Sequence, residues 1–206
     1  MLSQIGQDAW VLHKLAYKRG GTYVEFGAGD GLTNSNTAVL EFEYGWNGIL
    51  AEPCEGVRAK LAHNRVRNIV KHCCIGNYEC DVMFVESEIS EISAVDSYVH
   101  SDHLADARIS TTKPPYKVHC ITLMQLLDEL GRTNIDYLSI DTEGGEHDIL
   151  EAFADSGGFE KYNISLITVE HNFTANRDKI FKLLTLCDYR KQLGVNTFWD
   201  DWYYKE

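Results

Sequence analysis

"TYVEFGAGDG", Thr22 to Gly31, reads as a short apolar strand that stops abruptly in three closely spaced glycines and an aspartate. Thr22, Tyr23, Val24 and Phe26 are residue types that suit a pleated, buried surface. Gly27, Gly29 and Gly31 let the chain turn tightly and approach a ligand closely. In an open α/β sheet, ligands bind beyond the carboxyl ends of the strands, in the crevice where strand order reverses, and the first strand supplies that crevice. Glu25 and Asp30 put negative charge beside it. A dinucleotide pyrophosphate is repelled by these carboxylates, whereas a sulfonium cation bearing an ammonium group is attracted. The spacing, GxGxG in "GAGDG", also differs from the GxGxxG of nicotinamide-binding strands. Taken alone, the loop is also readable as a glycine-rich turn with no ligand.

The flanking segments give this loop its setting. Trp10, Val11, Leu15 and Ala16 recur at helical spacing and predict a helix over Gln7 to Arg19. Ser35 can cap a second helix running to about Tyr44, and "WNGILAEP" is a further apolar run stopped by Pro53. A helix from about Glu55 to Asn64 leads to a third strand, "NIVKHCC". The order is βαβαβ, with strands too apolar and too far apart for hairpins, so the sheet is parallel and wrapped by helices. Glu86 to Lys117 is serine-rich, acidic and closed by Pro114 and Pro115. It reads as a loop-rich insert, either a lid over the site or a solvated connection. Beyond it come a strand "YKVHC", a helix "TLMQLLDELG" capped by Thr122 and stopped by Gly131, and the core strands "IDYLSID" and "ISLITVE" around a helix from Glu146 to Phe153. A helix near Asp178 to Cys187, a strand "YRKQLG" and an antiparallel partner "VNTFWDDWYY" close the chain. The whole, 1–206, is one Rossmann-like α/β domain: a doubly wound, mostly parallel sheet with helices on both faces and a C-terminal antiparallel hairpin.

Composition narrows the function. The 206 residues are 44% hydrophobic, enough for one sizeable core. With 19 basic against 31 acidic residues the net charge is -12, which argues against a broad basic surface for a phosphate backbone, so nucleic acid is not an expected partner. The six cysteines form neither a CxxC pair nor a disulfide framework, which points to reduced thiols in a cytoplasmic protein. "MLSQIGQDAW" lacks a basic start followed by an apolar stretch, and no run is long enough to cross a bilayer, so no membrane partner is expected.

Glu52 ends the second predicted strand, where a carboxylate can accept hydrogen bonds from both ribose hydroxyls. Glycine loop, acidic strand end and element order together describe a nucleoside pocket, and S-adenosylmethionine is the occupant its charge favours. Glu25, Gly27, Ala28, Gly29 and Asp30 are placed around the methionine portion, Ser35 and Asn36 at its carboxylate, and Cys74 and Ile75 beside the adenine.

Several blocks together carry a resemblance: "SQIGQD" (Ser3 to Asp8), "YVEFGAGDGLTNSNT" (Tyr23 to Thr37), "GWNGILAEP" (Gly45 to Pro53), Asn64 with Arg65, "IDYLSIDTEGGEHDIL" (Ile135 to Leu150) and "ITVEHN" (Ile167 to Asn172). In combination, above all "DTEG" followed by "EHN", they resemble FkbM-type methyltransferases. The resemblance implies a seven-stranded class I fold that uses S-adenosylmethionine, in a family associated with O-methylation of sugars and natural products. The expected acceptor is therefore a hydroxyl on a sugar, glycan or other small molecule. It also implies that Gln7 and Asp8 reach the cofactor, and that residues at the ends of the fourth and fifth strands flank the methyl group. Those residues are Asp141, Glu143, Glu170, His171 and Asn172. His171 reads either as a general base or as a histidine packed at a strand end. Asp141 either orients the acceptor or caps the next helix. Some class I O-methyltransferases hold Mg²⁺ at these strand ends, and Asp141, Glu170 and Asn172 offer oxygen ligands for Mg²⁺ or Mn²⁺. "HSDH", His100 to His103, has helical metal-ligand spacing but no third ligand nearby in sequence, and reads better as a solvated or locally bonded pair. Two rival readings are a nicotinamide-dependent oxidoreductase and a non-catalytic cofactor-binding scaffold.

Overall fold

The computed structural model of the chain describes residues 3–88, 92–110, 112–195 and 197–206. Parts of two sequence readings, residues 89–91 and 111 of the insert and Asn196 of the terminal strand, lie outside these.

Strand β1 (Thr22–Phe26) sits mid-sheet with every residue buried. It pairs in parallel with β2 (Asn47–Ala51) on one side and β8 (Asn134–Ile140) on the other. Beyond β2 lies β3 (Ile69–Lys71); beyond β8 lie β9 (Asn163–Glu170), β11 (Asp200–Tyr204) and β10 (Arg190–Lys191). The sheet order is β10-β11-β9-β8-β1-β2-β3, and β11 runs antiparallel to both of its neighbours. The chain steps outward from β1 to β2 and β3, then crosses back to β8, so strand order reverses between β1 and β8. That is the crevice where doubly wound sheets bind ligands.

Period-two alternation sends successive side chains to opposite faces. Tyr23, Leu50, Tyr137, Leu166 and Trp202 pack on one face with Trp10 and Val11 of α1 (Gln7–Lys14), Leu40 of α2 (Ala38–Tyr44) and Leu61 of α3 (Arg58–Asn64). Their neighbours Val24, Ile49, Leu138, Ile167 and Tyr203 pack on the other with Leu126 of α5 (Leu123–Leu130), Phe153 of α6 (Glu146–Asp155) and Leu184 of α7 (Asn176–Leu186). Helix α1 ends sooner than the periodicity predicts because Ala16 and Tyr17 adopt left-handed backbone, with φ of 48° and 56°. Helix α2 starts at Ala38, yet the Ser35 hydroxyl still accepts from the Ala38 amide at 3.2 Å. Thr122 and Gln125 form a capping box at the start of α5, and Gly131 ends it with φ 67°.

The region after β3 departs from the sequence reading. "NIVKHCC" is two strands in two sheets: β3 ends at Lys71, and β4 (Cys74–Gly76) pairs with β7 (Tyr116–Thr122). With β5 (Cys80–Val85) and β6 (Ala94–Val95) these form a second sheet of order β4-β7-β5-β6. The segment read as a loop-rich insert thus carries β6, a 3-10 turn at Asp96–Tyr98 and α4 (Ala105–Ser110). An apolar run announces a buried strand but not which sheet receives it, and that is why one strand was predicted where two exist. Cys74, Cys120 and Cys80 lie in register across β4, β7 and β5, forming a lateral row of thiols. No helix among the described residues is long and apolar enough to cross a membrane.

Candidate functional site

A cavity of about 500 Å³ opens at the carboxyl ends of β1, β2, β8 and β9. Its wall includes Glu25, Gly27, Ala28, Gly29 and Asp30 from the loop after β1, Ser35 and Asn36 before α2, Glu52 after β2, and Cys74 and Ile75 from β4. Asp141, Glu143, Glu170 and Asn172 line it as well.

The glycine loop is built by close approach. Gly27 has φ 79°, and a Cβ there would stand 1.9 Å from the Asp141 carbonyl oxygen. The Asp141 amide donates to the Phe26 carbonyl at 3.3 Å, so the loop and the tip of β8 are locked edge to edge. Glu52 accepts from the Gly29 amide and the Cys54 amide, each at 2.8 Å. Burial nevertheless outweighs these bonds and pushes its carboxyl up to about 7. Asp30 is the reverse case: burial would raise its pKa, but donation from the Leu32 and Thr33 amides and the Thr33 hydroxyl holds it below its ordinary value.

Glu25 accepts from the Ser35 hydroxyl and the Asn36 amide, which ties the start of α2 to β1. Behind it sits Arg65, wholly buried, a residue that the strand-end reading did not single out as functional. Its guanidinium donates to Glu41, the Gly31 carbonyl, Ser35, the Tyr23 hydroxyl and Thr37, so all five N–H directions of the fork are used. Arg65 therefore fixes the glycine loop, β1 and α2 in one arrangement.

At the tips of β8 and β9, one carboxylate oxygen from each of Asp141, Glu143 and Glu170 lies within 4.8 Å of the others. All three carboxyls are raised well above their ordinary values, first by burial; the next cause is the charge of Asp200 and Glu146 for Asp141, and the charge of Asp141 for Glu143 and Glu170. Glu143 has a left-handed backbone, φ 58°, and its Oε2 accepts from Arg108 Nη2 at 2.7 Å. Arg108 comes from α4 and is fully buried; it also binds Asp102 and the carbonyls of Ile92 and Val99. The insert is thereby fastened over the cavity, and Ile92, Ser93, Val95, His103 and Leu104 form part of its wall. The lid alternative of the sequence reading describes this placement.

Asp8 and His171 depart from expectation, while Gln7 keeps its place in the cavity wall. Asp8 is buried away from the cavity, its carboxylate bonded to the Ser3 hydroxyl and the Ala9 amide. Gln7 does line the cavity, but its amide donates to Asp200 Oδ2 at 2.8 Å and accepts from Ile5, so it braces Asp200. His171 does not line the cavity. Its Nδ1 accepts from the Phe173 amide at 3.0 Å and its Nε2 faces Asp201 at 3.6 Å, so the ring is turned away from the cavity. Glu170 ends a strand whose neighbours alternate, so a side chain facing the cavity at 170 sends the next one away. Asn172 turns its amide nitrogen to Glu143 and Asp102, at 3.3 and 3.4 Å. Asp200, opposite Glu170 on β11, was missed; an acid inside the aromatic run "FWDDWYY" was the signal that could have found it. His103 was read as part of a local pair, but it belongs to the cavity wall and packs 6.3 Å from the Phe173 ring.

Comparison with known proteins bears on this architecture. The fold is similar to that of the METTL16 MTase domain, with a TM-score of 0.51 at 9% identity, covering 96% of this chain and 65% of that one. It is also similar to a precorrin-6y C5,15-methyltransferase from Geobacter metallireducens GS-15, at TM-score 0.49 and 10% identity over 96% of this chain and 88% of that one. No curated protein sequence matches the chain. The model of the methyltransferase FkbM domain matches residues 25–191, from the acidic residue of β1 to the end of β10. The α/β fold with its cavity at the strand-order reversal is that of class I methyltransferases, and the chain belongs to the FkbM methyltransferase domain family.

Proposed function

We propose that this methyltransferase uses S-adenosylmethionine to methylate a hydroxyl oxygen on a sugar, glycan or other small molecule. The residues fit that cofactor. Asn36 lines the cavity, but its side-chain amide nitrogen donates to Ser139 Oγ at 2.9 Å and its Oδ1 is buried without a hydrogen-bond partner, so it offers a vacant acceptor for the ammonium group instead of the donor to the carboxylate expected from sequence. Glu52 stands on the far side of β1 from the acidic cluster, three strand spacings or about 14 Å from β9. That separation suits a nucleoside at β2 and a reacting group at β8 and β9. Glu52 would hold the ribose, the loop from Gly27 to Asp30 the methionine portion, and Cys74 with Ile75 the adenine. When bound, the cofactor supplies an electrophilic methyl group.

The observation that carries the oxygen assignment is the cluster of Asp141, Glu143 and Glu170 in the cavity wall. A hydroxyl must shed its proton to become a competent nucleophile, and buried carboxylates with raised pKa are suited to that work. With the insert in its wall the cavity would shield the reacting groups from water, and the strand tips would fix the acceptor's direction of attack. A nicotinamide reading loses its footing, because nothing in the acidic loop favours a diphosphate.

The test is methyl transfer from labelled S-adenosylmethionine to matched panels of hydroxyl and amine acceptors. The expected product is a methyl ether, with Glu170→Gln lowering turnover about 100-fold or more while S-adenosylhomocysteine still binds. Label found on amines alone, or full turnover in the variant, overturns the reading.

A further inference from the structure

The cluster at the tips of β8 and β9 has a second property that proton removal does not explain. Asp141, Glu143, Glu170 and the adjacent Asp102 are four carboxyl groups, and the guanidinium that reaches them, Arg108, is shared between Glu143 and Asp102. No cationic side chain is recorded against Asp141 or Glu170 among the described residues. Glu170 is only 7% exposed, and its Oε2 has neither solvent nor a hydrogen-bond partner. An orphaned carboxylate oxygen in such a place is costly unless something positive meets it.

We infer that Asp141, Glu143 and Glu170 bind one divalent cation of the hard, oxygen-preferring class, Mg²⁺ or Mn²⁺. One oxygen from each residue already lies within 4.8 Å of the other two, a spread that a single ion can span with bonds of about 2.1 Å after small side-chain rotations. Three protein oxygens leave positions for water or an acceptor hydroxyl, which suits Mg²⁺ better than Ca²⁺ with its six to eight ligands. Asp141 directly follows β8, Glu170 ends β9, and Glu143 sits on the strained turn that leads from β8 into α6. Asn172, expected from sequence to be a ligand, instead donates its amide to Glu143 and orients that carboxylate. The ion's role depends on the transfer reading above, since it would lower the pKa of a hydroxyl bound to it. Its binding does not.

The test is titration of the chelator-treated full chain with Mn²⁺, following loss of the free-ion electron paramagnetic resonance signal. One saturable site per chain is expected, displaced by excess Mg²⁺ and lost in Asp141→Asn and Glu170→Gln. Retained S-adenosylhomocysteine binding, measured by calorimetry, shows that each variant is folded. That same measurement on the chelated wild type reports on the cofactor assignment separately. A second acidic group, His147, Asp148 and Glu151 on α6, provides the control. Mn²⁺ binding that survives Asp141→Asn but vanishes in Glu151→Gln, or wild-type protein with no saturable site, overturns the inference.

Discussion

Glu52, proposed to hold the cofactor's ribose, also ties stability to pH. Its carboxyl, ordinarily at 4.5, is pushed up to about 7 by burial, so the folded chain holds that proton more tightly than the unfolded chain. The stabilisation this brings is complete below the unfolded value and is lost as pH rises through the folded value. Asp200, raised to about 6 chiefly by burial, acts in the same direction. Denaturant titrations should therefore find the unliganded protein less stable at pH about 8 than at pH about 5, by on the order of 3 kcal/mol from Glu52 alone. Glu52→Gln should flatten that slope and weaken S-adenosylhomocysteine binding by about 1–3 kcal/mol in calorimetry. An unchanged slope and affinity would remove Glu52 from both roles. Acids such as Glu52, Asp141 and Glu170 were legible in the sequence because each closes an apolar run, and Glu25 because it interrupts one just before the strand ends, where these sheets bind ligands. Arg65 and Arg108 were not, because their partners lie 24 to 42 and 6 to 35 residues away and only the tertiary fold brings them together.

Among elements, the insert poses the clearest mechanical question. Helix α4 has six residues, too few to persist on local hydrogen bonds, and the described structure anchors it through Arg108. Replacing Arg108 with alanine leaves Glu143 and Asp102 without that cation and frees the carbonyls of Ile92 and Val99. Hydrogen exchange should accelerate across residues 92–110 in Arg108→Ala while amides of β1 and β8 keep their protection. Equal protection in both proteins would show that the insert is held by other contacts. The helices and central strands were readable from periodicity and caps, as Thr122 and Gly131 illustrate. The second sheet was not. β6 has only two residues, and although β5 ends in the apolar run Val82–Val85, an apolar run does not say which sheet receives it.

For the molecule as a whole, the cavity draws its wall from stretches that run from Gln7 to Asp200 along the chain, so a ligand there should stabilise the entire fold. At one hundred times its dissociation constant, S-adenosylhomocysteine should add about 2.7 kcal/mol and raise the melting midpoint by roughly 5–10 °C. NAD(H) at the same concentration should leave the midpoint unmoved, and the opposite pattern would reverse the cofactor assignment. The row of thiols beside this cavity then takes on a meaning of its own. A sulfonium cofactor is an alkylating agent, and Cys73 and Cys74 line the space proposed to hold it. Burial lifts Cys73 to about 11, Cys120 to about 12 and Cys74 higher still. Sulfur kept protonated is a poor nucleophile, so the enzyme can store a reactive methyl donor against its own cysteines without scarring itself.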